Sequence, residues 1–193
     1  LPSLDELSEY HPLFFEEEDI DRYMSGSDVR GSILNYQWRA AKKHNALSSD
    51  LDANILLGSD VLLDKRKVLW AIAIIDSRSI WWDGKRHMVQ LLDLVNADIV
   101  GRPHETKLEQ GDIVTRASRH IAKGEQVLEN YGQPNHLLFM YHGFRLEHNE
   151  NDCALLNGIT INHNDPGIRH ARQLRSLAPS FCISSNKLAS IEE

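Results

Sequence analysis

The chain has 193 residues, 41% hydrophobic and 25% charged, with a formal net charge of −7. One core at that length buries roughly 70% of the unfolded chain's surface, so neither disulfides nor metals are required as staples. The acidic balance excludes a broad phosphate-binding surface, and the longest apolar run, the eight residues Val68–Ile75, falls far short of the ~20 a membrane helix needs.

Residues 1–24 alternate short apolar pieces with acidic ones, and Glu16–Asp19 fit the solvated start of a helix. Over 28–46 the spacing of Val29, Ile33, Tyr36 and Ala40 predicts an amphipathic helix, its stripe widened by Leu34, Trp38 and Ala41. Lys42, Lys43 and His44 close it in favourable register with the helix dipole. Residues 48–64 read as loop. Lys65–Ser79 reads as a mostly buried helix, because its basic start runs directly into the apolar stretch and the segment exceeds ten residues. Trp81–Lys85 reads as a turn and Met88–Val95 as a buried strand. Asp112–Ala117 and Gln126–Asn130 read as strands joined by a turn at Lys123 and Gly124. Pro134–Tyr141 is expected to be a short helix closed by Gly143. Asp165 and Pro166 start a further helix, with a stripe of Ile168, Ala171, Leu174 and Leu177 that Pro179 stops.

The common chemical templates are missing. No HExxH occurs, and His136, His142 and His148 lie six apart, which scatters them around a helix, so no metal site is expected. Phosphate-cradling glycine loops and a GxSxG elbow are absent. Cys153 and Cys182 form neither a framework nor a CxxC pair, and no Asn-x-Ser/Thr sequon is present. These features suggest an intracellular, reducing compartment, with cytoplasm or nucleus favoured over an organelle. A start at Leu1 suggests a processed or partial chain. Two polar strand ends remain where an open site could form: Asp93–Asp98, and Glu129 to Gly132 with Tyr131 between them.

At these residues the chain resembles a SET-domain protein methyltransferase. It is most similar to the branch containing the ribulose-bisphosphate carboxylase large-subunit methyltransferase and the actin-histidine methyltransferase. The family pattern is a strand ending D-x-x-N-H, then G-E-x-hydrophobic and Y-G, then a short helix ending Y-G-F. Here these are Asp93, Asn96 and Ala97; Gly124, Glu125, Val127, Tyr131 and Gly132; and His142, Gly143 and Phe144. Pro12–Phe15 with the acidic helix is similar to the branch's inserted helices. Ser77, Arg78 and Ser79 stand where the branch has an S-R or T-R pair, and Asp165 with Pro166 resembles the opening of its C-terminal helical domain.

The resemblance implies an α+β fold with residues 1–85 as an inserted helical region, 86–157 as the C-terminal part of the SET core and 158–193 as the start of a helical substrate-binding domain. It implies S-adenosyl-L-methionine as cofactor and the lysine side chain of a protein as substrate. A free lysine is neutral in only about 1 of 2,500 molecules at pH 7, so an apolar channel must lower its pKa. In this reading Tyr131 is catalytic, Arg78, Asn96, Ala97 and Phe144 hold the cofactor, and His142 lines the substrate channel. The departures are Ala97 for the usual histidine, His142 for a frequent tyrosine, and the absence of the glycine-rich cofactor loop. They leave two alternatives: a non-catalytic SET scaffold within a larger assembly, or a protein histidine methyltransferase. No membrane partner is expected. Nucleic acid is disfavoured except through the helix carrying Arg169, Arg172 and Arg175.

Overall fold

The computed structural model describes residues 1–50, 55, 64–82, 84–98, 105–117, 119–157 and 180–183. The chain opens with helix α1 (Leu4–Tyr10), whose Ser3 cap and Glu6 satisfy each other's backbone N–H groups, a reciprocal arrangement that ties off two orphan donors. A 3-10 turn follows at Pro12–Phe14, then α2 (Glu17–Met24), α3 (Asp28–Ser49) and α4 (Lys65–Arg78). Three acidic residues occupy the first turn of α2, as expected of a solvated helix start. Helix α3 outruns its expected end and takes in Ser48 and Ser49, where each serine hydroxyl bonds back toward the preceding turn. Trp38, expected on the apolar stripe, is largely exposed, with Lys42 over its ring.

The core sits among these helices. Leu7, Leu13, Tyr36, Ala40, Val68, Leu69, Ile72, Ala73, Ile74 and Met140 form one buried cluster. Met140 comes from α5 (Asn135–His142). Gly143 ends α5 in the left-handed region at φ 77°. A Cβ there would lie 2.5 Å from Tyr10 Cδ2, so both the turn and the close approach of α1 require glycine.

Among the described residues, strands occur as four pairs. β1 (Ser79–Trp82) and β2 (Lys85–Met88) form a hairpin, so the turn expected at Trp81–Lys85 is narrower than predicted. β3 (Asn96–Ala97) runs parallel to β6 (Leu128–Glu129). β4 (Glu105–Glu109) pairs antiparallel with β5 (Asp112–Arg116). β7 (Ala154–Asn157) pairs with β8 (Ser180–Ile183). Cys153, just ahead of β7, is disulfide-bonded, which corrects the expectation that the two cysteines form no covalent framework.

Two expectations are corrected. Met88–Val95 is not a buried strand. Leu91 has φ 71°, a 3-10 turn covers Leu92–Leu94, and the N–H groups of Asp93, Leu94 and Val95 bond locally to Val89, Leu91 and Leu92. Turn hydrogen bonds thus replace a ladder, and Leu91 and Leu94 face solvent. β5 and β6 are not partners either. The two-residue turn Gln110–Gly111, with φ of 54° and 94°, closes β5 onto β4, as two positive-φ residues do in a tight hairpin. The predicted helix after Asp165 lies outside the described residues.

Candidate functional site

A cleft of about 350 Å³ opens where α4, the β1 strand, the Val89–Asp93 turn, Thr106 and the β6–α5 connection meet. That is the low end of the range for small-molecule sites. Arg78, Tyr131 and His142 all line it, with Asp93, Glu129 and Gln133. Segments far apart in sequence therefore converge on one cavity.

Tyr131 is oriented by a hydrogen bond: its hydroxyl donates to the Val95 carbonyl at 2.6 Å. Burial raises its pKa above the ordinary phenol value, Glu129 adds to the rise, and Arg78 opposes it. The hydroxyl therefore stays protonated at neutral pH. With its proton committed to Val95, its oxygen lone pairs remain able to accept from a ligand. Glu129 itself accepts from the Thr106 hydroxyl.

Arg78 ends α4, where a cation suits the helix dipole. Its guanidinium donates to the Asp93 carbonyl, which ties α4 to the turn preceding β3. His142 is the last residue of α5, and its ring lies 5.1 Å from that of Tyr131 and 5.7 Å from that of Phe144. Phe144 thus supports the cleft through His142 and is not among its lining residues. Asn96 and Ala97 sit beside the cleft in β3, whose ladder joins the Val95 carbonyl to the Tyr131 segment. Asn96 is exposed and neither residue lines the cavity.

Burial depresses the His142 pKa to about 4, with His11 and Arg78 adding electrostatic repulsion. An unfolded histidine takes its proton near pH 6.5. Between these values the unfolded state binds the proton and the folded state does not, so the stabilising term is present above pH 6.5 and lost as pH falls toward 4. Denaturant titrations at pH 7 and pH 5 should show the protein losing about 1–2 kcal/mol more than its His142→Phe variant, a difference set by this linkage. Equal losses would mean that His142 is protonated in the fold.

Gln133 and Thr106 carried no signal in the sequence. The side-chain oxygen of Gln133 is buried without a hydrogen-bond partner in a residue that lines the cleft. A buried acceptor left unpaired costs free energy, and a donor on a bound ligand would satisfy it. The Gln133 main-chain carbonyl is held by Asn149, which also donates to Asn135. Asn135 in turn exchanges hydrogen bonds with Leu146 and donates to Asp152. This polar network fixes the approach to α5. Among the described residues no three potential metal ligands gather.

No protein-family model matches the chain, and no curated protein matches it. Among solved structures it is similar to a crystal structure of the SET domain of LSMT bound to lysine and AdoHcy, with a TM-score of 0.55 and 19% identity. The match covers 89% of this chain and 41% of that one. At that identity the likeness is one of fold: this chain has the mixed helix and strand architecture of a SET domain and spans under half the length of the structure it matches.

Proposed function

We propose that the protein is an S-adenosylmethionine-dependent protein methyltransferase acting on a lysine side chain. The observation that carries this reading is the convergence of Tyr131, His142 and Arg78 on one cleft, with the Tyr131 hydroxyl fixed on the Val95 carbonyl. The bound cofactor would supply an electrophilic methyl group on a sulfonium. The cleft's donor set fits such a ligand: Arg78 offers a guanidinium suited to a carboxylate, and Gln133 offers a buried acceptor for an amino group. Tyr131 presents oxygen lone pairs that can orient an incoming amine along the transfer axis. His142, kept neutral by burial, adds no positive charge that would repel the cofactor's sulfonium or the charge that develops on the amine during transfer. The neighbouring crystal structure's bound lysine and AdoHcy support the same assignment.

The second reading is a non-catalytic SET fold serving as a subunit of a larger assembly. Ala97 favours it, because a methyl group offers neither the packing nor the hydrogen bonds of an imidazole, and so does the exposed position of Asn96. Calorimetry with S-adenosylhomocysteine on the intact protein separates the two. Binding in the micromolar range, with methyl transfer to a lysine peptide, is the expected result. No heat at millimolar ligand in a folded protein would favour the scaffold, and methylation of histidine peptides alone would reassign the acceptor.

A further inference from the structure

We propose that Arg39, Lys43 and Arg86 form a binding site for a phosphoryl dianion where α3, α4 and β2 meet. The site is a second cavity, about 90 Å³, that shares none of the described lining residues with the cleft. Its walls are Tyr36, Arg39 and Lys43 from α3, Asp76 from α4, Arg86 from β2 and Tyr141 from α5. The inference stands independently of the methyltransferase reading.

Among the described residues Asp76 is the one carboxylate lining this cavity, and it is already engaged. Its side chain is 4% exposed. One oxygen accepts from the Tyr36 hydroxyl at 2.8 Å, and the other pairs with Arg86. Arg86 also lies over the Trp81 ring, which fixes the guanidinium plane. Arg39 and Lys43 make no ion pair among the described residues. They stand four apart on one face of α3, where like charges disfavour the helix. Three cations against one carboxylate leave two positive charges focused on one small cavity in a chain whose net charge is −7. Burial and the two neighbouring guanidinium groups push the Lys43 amine below its ordinary pKa, which reports how closely the cations crowd.

Charge and size together select the ligand. A phosphoryl group carries about −1.5 to −2 near neutral pH, which matches the surplus. A monocarboxylate would leave one cation unanswered. A cavity of this volume holds several water-sized probes, room for a tetrahedral oxyanion and not for a nucleobase. Arg39 and Arg86 supply planar forks suited to its oxygens, and Lys43 supplies a point charge. Arg39 and Lys43 are exposed at the rim, so an ester oxygen could point to solvent.

The test is thermal unfolding and calorimetry of the intact protein with inorganic phosphate and with O-phosphoserine, each against sodium chloride at equal ionic strength. Phosphate should raise the melting temperature beyond the chloride control. The Arg39→Gln/Lys43→Gln double variant should abolish that rise and weaken binding at least tenfold, with unchanged circular dichroism. Lys43→Arg should retain it. Tighter binding of phosphoserine would support the site and identify a phosphomonoester as its occupant; tighter binding of inorganic phosphate would support it with the free ion. An equal rise in the double variant, or no rise over chloride, would overturn the proposal.

Discussion

Replacing Tyr131 by phenylalanine is expected to lower methyl transfer by about two to three orders of magnitude, the range seen when one preorganised polar contact to a transition state is removed. The phenyl ring would keep its packing against His142. The lost hydrogen bond to the Val95 carbonyl should cost only about 1 kcal/mol of stability, so the protein stays folded. An oxygen that orients the amine acts most strongly as transfer proceeds. Turnover should therefore fall more than cofactor affinity, which steady-state kinetics and calorimetry on the same preparation would separate. Unchanged turnover would remove Tyr131 from the chemistry. It would also leave the shape of the cleft without a catalytic role.

His11→Ala should be among the most destabilising single changes in the helical half, at about 3–5 kcal/mol. His11 is completely buried. Its Nδ1 accepts from the Leu13 N–H at 3.2 Å, so the proton resides on Nε2, which donates to the Tyr141 carbonyl at 3.1 Å. Alanine would leave a cavity and two buried backbone groups without partners, each a recognised source of large losses. Urea unfolding would read it. His11→Asn, which keeps a short polar group, should recover part of the loss if the hydrogen bonds matter beyond volume. A loss below 1 kcal/mol would show that water or a shift of α5 replaces the ring.

Much of the helical half was legible because its signals are periodic. Ile33, Tyr36 and Ala40 are buried on α3 as their spacing predicts, and Gly143 terminates α5 as a residue free to adopt positive φ. The β half was less legible because its elements are short and two of the four described pairs join distant segments. β3 and β6 are two residues each, too brief for alternation to appear. The turn joining β4 and β5 uses Gln110 at positive φ, a residue type that gives no turn signal in a sequence. The apolar-rich segment Met88–Val95, interrupted by Gln90 and Asp93, fits a strand as well as a compact turn, and only the local hydrogen bonds decide. The site shows the same division. Tyr131, Arg78 and His142 stood out through motif resemblance, whereas Gln133 is notable only for the missing partner of its carboxamide oxygen, which no sequence pattern encodes.

The two-position ladder between β3 and β6 has a consequence for motion. Among the described residues it closes a stretch of some thirty residues, from Ala97 to Leu128, with two paired positions, a bond from the Asp98 amide to Glu129 and the Tyr131 hydroxyl's bond to the Val95 carbonyl. Loop closure of that length carries an entropic cost that few contacts offset, while the buried cluster of the described residues lies wholly in the helices and their turns. Local opening should therefore begin at this ladder and leave the helical core intact. Separation there carries the Val95 carbonyl away from Tyr131, so the cleft disassembles and re-forms as a sub-global unit. A molecule that bridges Arg78 and Tyr131 would act as the missing rung, and its binding energy would appear in large part as order gained by the strands around it.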